Sequence, residues 1–242
     1  MKTIIVKNYQ ELSVKAAELV IEQVKNKPDS VLGFPTGQTP LGMYERLINA
    51  CQTKKISFAK VRTFNLDEYV GLGPDDQDSY YSYMYGNLFV HVDIKSSNVH
   101  ILNGKAGNPE VECASFEKEI ERVGGIDLLI LGIGSNGHLG FCEPGTSFES
   151  MTHLADLSDS TRRDNQAHMI EQTETPKQAL TMGIKTMMNA KQIILLANGE
   201  HKQDAIDRAM NGPVTEEVPA SVLQNHQNVI VIMDQAAKKE SK

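Results

Sequence analysis

Several of the short β-like runs in this chain are apolar at successive positions rather than at alternate ones. Asp127–Ile133, Gln192–Ala197 and Asn228–Met233 are the clearest; Thr3–Val6, Ser30–Phe34 and Val61–Leu66 complete a set of six. A strand with one face in water reads as an alternation, whereas a strand apolar throughout needs cover on both faces. The segments between supply that cover. Leu12, Ala16, Leu19 and Val20 mark one face of a helix whose Glu11, Lys15, Glu18 and Glu22 are left to solvent. Helical patterns recur at Leu41–Cys51, Glu110–Arg122, Lys177–Met188 and Lys202–Met210. Alternating β and α elements imply a doubly wound α/β fold, a mainly parallel sheet with helices on both faces. The 242 residues suffice for one such domain, and no repeat or linker divides them. The stretch 147–175 is polar and poorly periodic, so it is expected to form a lid containing some helix. The charged tail Gln235–Lys242 is expected to fray.

Bulk properties remove several function classes. Hydrophobic residues at 40 % and charged residues at 23 % are those of a globular chain, which argues against disorder. A net charge of −7 argues against a nucleic-acid partner, which needs clustered Lys and Arg. It leaves room for a small anion, because helix dipoles and one or two cations hold a phosphate in an acidic protein. The N-terminal run lacks a signal-peptide core, and no apolar stretch approaches the roughly 18 residues that span a bilayer. Cys51, Cys113 and Cys142 are odd in number and widely spaced, which disfavours a disulfide framework or a Cys-based zinc site. These features point to the cytoplasm and away from a membrane partner.

In a doubly wound sheet ligands gather beyond the carboxyl ends of the strands, and four motifs lie there. The first, Pro35-Thr36-Gly37-Gln38-Thr39-Pro40, follows a strand-like run; Thr39 reads as an N-cap and Pro40 as the first helical residue. Free N–H groups and the helix dipole would make an anion site there; the alternative is an ordinary strand-to-helix turn. The second, Thr63-Phe64-Asn65-Leu66-Asp67-Glu68-Tyr69, puts two carboxylates at a strand end. A carboxylate in a partly dry pocket can carry a proton between adjacent carbons, and adjacent residues of extended chain face opposite ways, so one of the two enters a cleft. A solvated acidic turn is the alternative.

The third motif, Gly132–Gly145, contains a literal G-x-G-x-x-G after a strand-like run. A dinucleotide fingerprint should open a helix, but Gly140, Pro144 and Gly145 would break one. An irregular loop holding up Asn136, His138 and Glu143 remains, and a His beside a carboxylate can shuttle a proton between hydroxyl and ring oxygen of a sugar. A metal site of His138, Cys142 and Glu143 lacks zinc-ligand spacing; a purely structural loop stays open. In the fourth, Gly199-Glu200-His201-Lys202, Lys202 could meet a phosphate or be merely solvated.

Taken in order, PTGQTPLGMY (35–44), TFNLDEYVGL (63–72), LGIGSNGHLGFCEPGTSF (131–148), PKQALTMGI (176–184) and GEHK (199–202) resemble the glucosamine-6-phosphate deaminase/isomerase family essentially from end to end. The resemblance implies a sugar-phosphate substrate and no metal or organic cofactor. It implies that Asp67 moves a proton between C2 and C1, that His138 opens the pyranose ring with support from Asn136 and Glu143, and that Thr36, Gly37, Gln38, Thr39 and Lys202 bind the 6-phosphate. The implied reaction turns glucosamine 6-phosphate into fructose 6-phosphate and ammonia. Galactosamine 6-phosphate is the alternative substrate, and a 6-phosphogluconolactonase-like hydrolase the alternative enzyme.

Three positions depart from the family pattern. Gln38 replaces the second glycine of the turn and adds a side chain where backbone should approach phosphate. Cys142 replaces an Asn and removes two strong hydrogen-bonding groups. Ala167 stands where the family has a phosphate-binding Arg, leaving Arg162, Arg163 or Lys202 alone to supply charge. The family also includes allosteric hexamers with longer chains; this one leaves little after its last strand, so a monomer or small homo-oligomer is expected.

Overall fold

A computed structural model describes residues 1–167, 169–170 and 174–239. In chain order the first half gives β1 (Lys2–Val6), α1 (Tyr9–Asn26), β2 (Val31–Phe34), α2 (Leu41–Gln52), β3 (Arg62–Asn65), β4 (Asp67–Tyr69), α3 (Tyr80–Asn87), β5 (Val99–His100) and α4 (Pro109–Arg122). There follow β6 (Leu128–Gly132), β7 (His153–Asp156), α5 (Asp159–Gln166), β8 (Gln178–Thr181), α6 (Ile184–Met188), β9 (Ile193–Ala197), α7 (Gln203–Asn211) and β10 (Val229–Asp234). Seven strands form one parallel sheet in the order β1-β10-β9-β6-β2-β3-β5. The six strand-like runs are six of its seven strands, with Thr3–Val6 at one edge.

The continuous apolar runs serve two cores at once. Leu128 and Ile130 of β6, Ile194 and Leu196 of β9, and Ile230 and Ile232 of β10 pack with α1, α2 and α3. The residues between them, Leu129, Leu131, Ile193, Leu195, Val229 and Val231, pack on the other face with α4, α6 and α7. The period-two geometry of a strand is intact, but both of its faces are dry. Truncating one of these leucines to Ala would cost about 2–5 kcal/mol. Local chemistry marks the helix starts: Asn8 and Asn108 each accept a backbone N–H three residues on, and Pro109 opens α4.

Two expectations need correction. Lys177–Met188 is not one helix but β8 followed by the five-residue α6. A short apolar run is ambiguous between helix and strand, and here pairing decides it: β8 lies between β4 and β7 in an antiparallel three-stranded sheet. The second correction concerns 147–175, which contains a strand, β7, as well as the expected helix, α5; residues 168 and 171–173 of that range lie outside the described residues. The tail begins with an ordered turn, Gln235–Ala237, because Asp234 Oδ1 accepts the N–H of the buried Ala237; residues 240–242 of the expected frayed tail lie outside the description. Among the described residues no helix is long and apolar enough to cross a membrane.

The chain runs outwards from β2 through β3 to β5, then returns to the other side of β2 as β6. The sheet's switch point therefore lies between β2 and β6. At its amino edge Asp127, 5 % exposed, ties the two halves together: Oδ2 accepts from Val31 N at 2.8 Å and Lys27 Nζ at 2.6 Å, and Oδ1 from Lys191 Nζ at 2.7 Å. Burial works against ionisation of Asp127, but the two ammonium groups and the amide outweigh it and hold its carboxyl below the usual range. Removing this carboxylate in Asp127→Ala leaves a buried amide unpaired and should cost about 2–4 kcal/mol at pH 7. Because the folded-state pKa is depressed, that stabilisation exists above about pH 4 and is lost as pH falls through the folded value. Chemical denaturation at pH 7 and pH 3 should accordingly show the gap between wild type and variant narrowing in acid.

Candidate active site

The turn after β2 and the loop after β6 open into one cavity of about 440 Å³ at the switch point. It is lined by Thr36, Gly37, Gln38 and Thr39 from the first turn, by Asp67, by Gly134, Ser135 and His138 from the glycine-rich loop, and by Lys202. Its size suits a small ligand.

The first turn is built backwards from its carbonyls. Tyr44 Oη donates to Pro35 O, Tyr83 Oη to Gly37 O, and Tyr9 Oη to Gln38 O at 3.2 Å. With the carbonyls turned towards tyrosine hydroxyls, the N–H groups of Thr36 to Thr39 have no protein partner among the described residues. Gly37 takes a φ of +89°, but Gln38 does not have a positive φ, so the side chain at 38 brings no backbone strain. Thr39 is not the N-cap of α2: that position is Pro40, and Thr39 Oγ1 instead donates to Asn198 Oδ1 at 2.7 Å, joining the turn to the end of β9. The reason is the short path from β2 into α2, which leaves the Thr39 hydroxyl facing a neighbouring strand end.

Asp67 opens β4 and pairs with Thr181 of β8. It is 5 % exposed and accepts no hydrogen bond among the described residues. Burial, then the charge of Glu68, pushes its pKa up to about 8. Glu68 faces away from the cavity, as strand geometry requires. Its Oε1 accepts from Tyr69 N and Tyr80 N at 2.8 and 3.0 Å, and its Oε2 from Tyr81 N at 2.9 Å, so it caps α3. Burial raises the Glu68 pKa to about 7 against those three bonds.

The glycine-rich loop contains no helix, in keeping with the rejected dinucleotide reading. Gly134 lies directly against the His138 ring, where any Cβ would overlap imidazole atoms. Gly140, at φ +56°, brings the loop to Thr181 and Asp67; a Cβ there would sit 3.0 Å from Thr181 Oγ1 and 3.2 Å from Asp67 Oδ2. These two glycines let the imidazole and the carboxylate share one cavity. His138 Nδ1 is buried without a hydrogen-bond partner, 3.8 Å from Glu143 Oε2. Burial lowers the His138 pKa, with Glu143 partly opposing it, so the ring is neutral at pH 7. Asn136 Oδ1 accepts the His138 N–H at 3.1 Å, and Asn136 Nδ2 donates to Glu143 Oε2 at 2.8 Å. Ser158 Oγ donates to Glu143 Oε1 at 3.0 Å. Burial works to raise the Glu143 pKa, but hydrogen bonds from Thr161, Asn136 and Ser158 and the nearby His138 bring it below normal.

Thr36, Gly37, Gln38, Thr39, Asp67, His138 and Lys202 therefore line one cavity, with Asn136 and Glu143 behind His138. Cys142 points elsewhere: its Sγ donates to Met182 O at 3.3 Å in the core. Arg162 does not reach the cavity, since its guanidinium faces Thr175 O, Asp159 and Glu174, and Arg163 is not among the lining residues. The cation of the cavity wall is Lys202, with His201 beside it. Sequence reading missed His201, Tyr80, Ser135, Thr161, Asp164 and Asn165 as lining residues. His201 was within reach, adjacent to Lys202; the α5 residues carry no local signal.

Comparison with known proteins agrees with this geometry. The family model described as glucosamine-6-phosphate isomerases/6-phosphogluconolactonase matches residues 7–232. A glucosamine-6-phosphate deaminase of Clostridium botulinum (strain Langeland) is 51 % identical over 242 residues, covering 100 % of this chain and 99 % of that protein. One of Oceanobacillus iheyensis is 51 % identical over 240 residues, with 99 % and 96 % covered. A solved monomeric glucosamine-6-phosphate deaminase superposes with a TM-score of 0.95 at 44 % identity, with 98 % of each chain covered. The 6-phosphogluconolactonase of Leishmania guyanensis, at 21 % identity and a TM-score of 0.76 with 98 % and 97 % covered, shares the fold. Sheet order, motif placement and end-to-end identity converge, and the chain belongs to the glucosamine-6-phosphate isomerase/6-phosphogluconolactonase family, among its glucosamine-6-phosphate deaminases.

Proposed function

We propose that this chain converts glucosamine 6-phosphate and water into fructose 6-phosphate and ammonia. The observation that carries the reading is a single cavity in which a buried carboxylate, a half-buried imidazole and a row of amide N–H groups without a partner among the described residues face the same space. The substrate's phosphate sits on the N–H groups of Thr36 to Thr39 at the start of α2, with Lys202 as point charge. The hexose then lies across to His138 and Asp67. His138, neutral and backed by Glu143 and Asn136, takes the proton of the anomeric hydroxyl and returns one to the ring oxygen, which opens the ring. Asp67 removes the proton from C2 of the open aldose and delivers it to C1. The enolamine so becomes an imine at C2, which adds water and expels ammonia.

The high pKa of Asp67 serves this role. A carboxylate made reluctant to ionise is a stronger base, and the ammonium at C2 of the substrate favours its charged form on binding. The described part of the stretch 147–175 acts as the cover of the site in this reading, with α5 contributing Thr161, Asp164 and Asn165 to the rim. A cytoplasmic monomer or small homo-oligomer fits the reading, supported by the monomeric relative of similar structure.

A coupled ammonia assay on purified protein tests the substrate. Release from glucosamine 6-phosphate should exceed release from galactosamine 6-phosphate by at least tenfold in kcat/KM; the reverse order would reassign the sugar, and none from either would remove the reading. Asp67→Asn should lower kcat by about 10³-fold or more. The same substitution should stabilise the fold. The folded pKa of about 8 lies above the unfolded value near 3.8, so ionisation favours the unfolded chain increasingly between those pH values. Thermal melts should show Asp67→Asn unfolding above wild type at pH 8, with the advantage shrinking towards pH 4. In the wild type the acid limb of kcat/KM should approach pH 8, and Glu68→Gln should move it lower by removing a like charge.

A further inference from the structure

One group in the cavity wall has the wrong sign for an anion seat. Asp164 stands on the exposed side of α5 and lines the cavity together with Thr36 to Thr39, His201 and Lys202. Its Oδ2 accepts the hydroxyl of Ser135 at 2.9 Å, which fastens the carboxylate to the glycine-rich loop across the gap between loop and helix. The cations of the same helix do not compensate: Arg162 is turned to Thr175 O, Asp159 and Glu174, and Arg163 does not line the wall. Burial lowers the basicity of Lys202 and His201, and the charge of Asp164 works against that loss at both, so the carboxylate lies within their electrostatic reach.

We propose that Asp164 is a specificity-determining residue, a resident counter-ion in the wall that holds Lys202, which the phosphate of the substrate must tolerate. The inference rests on the phosphate placement given under Proposed function. A phosphate monoester brings close to two negative charges near neutral pH. Placed against Lys202 it meets the carboxylate as a like charge, in a cleft open enough for water to screen much of the repulsion. The same carboxylate keeps the cationic wall from collecting weakly bound anions, so affinity is given up for selectivity.

The test compares wild type, Asp164→Asn and, as a control, Asp159→Asn. Asp159 lies in the first turn of the same helix, 84 % exposed, and does not line the cavity. Two quantities are measured for each protein: KM for glucosamine 6-phosphate by ammonia release, and the Kd of inorganic phosphate by calorimetry. Asp164→Asn should lower both by roughly three- to tenfold, the effect of removing one screened charge from the cavity wall, while Asp159→Asn leaves both within about twofold. An unchanged or raised KM and Kd in Asp164→Asn would overturn the proposal, as would an equal improvement in Asp159→Asn, which would make the effect one of net charge. The phosphate titration also separates this inference from the functional reading. Tighter phosphate binding by Asp164→Asn without ammonia release from any of the proteins would leave the counter-ion role standing and remove the reaction. Normal ammonia release with KM and phosphate affinity unmoved would do the opposite.

Discussion

Every feature of the site depends on the parting of the chain between β2 and β6. Two neighbouring parallel strands whose onward connections leave in opposite directions cannot cover the gap beyond their own carboxyl ends. The turn after β2 and the loop after β6 are the walls of that gap, one offering amide donors and the other an imidazole. Asp127 closes the opposite edge with two ammonium groups and an amide, so the two strands stay in register while their far ends diverge. One edge of the sheet is satisfied and the other left open to chemistry.

The second sheet brings in what the parallel sheet cannot. β4 is only three residues long, yet pairing with β8 fixes Asp67 opposite Thr181, and Met182 N donates to Leu66 O at 2.6 Å. Tyr69, Tyr80 and Phe141 pack behind it with ring centroids 4.7 to 6.0 Å apart. This packing keeps water from the carboxylate and so raises the pKa of Asp67, at a cost to stability. Burial and the charge of Glu68 both act against an ionised Asp67.

Much of this was legible in the residues. The continuous apolar runs of β6, β9 and β10 announced two-sided burial, and Gly140, Pro144 and Gly145 showed that no helix follows β6. That only one of Asp67 and Glu68 faces the cavity followed from period-two geometry, while the choice of Asp67 came from the family resemblance. What was not legible depends on partners distant in sequence. Gln178–Thr181 is a strand because β4 and β7 flank it, and nothing within PKQALTMGI records that pairing. The carbonyls of Pro35, Gly37 and Gln38 are bound by Tyr44, Tyr83 and Tyr9, and three scattered tyrosines carry no joint signal. Asp164 and Asn165 lie in a polar stretch without periodicity, so their arrival at the cavity is set by the docking of α5 alone.

The cap that Glu68 places on α3 has a mechanical consequence. The same short helix receives Glu68 at its first turn and sends the Tyr83 hydroxyl to Gly37 O from its fourth residue. One short strut thus spans from the residue beside Asp67 to the amide cradle. Under the proposed reaction a strut of fixed length is a gauge: it sets the number of carbons between an anionic end group on the cradle and the atom nearest Asp67. A substrate one carbon shorter or longer would then present the wrong hydrogen to that carboxylate, whatever its stereochemistry elsewhere.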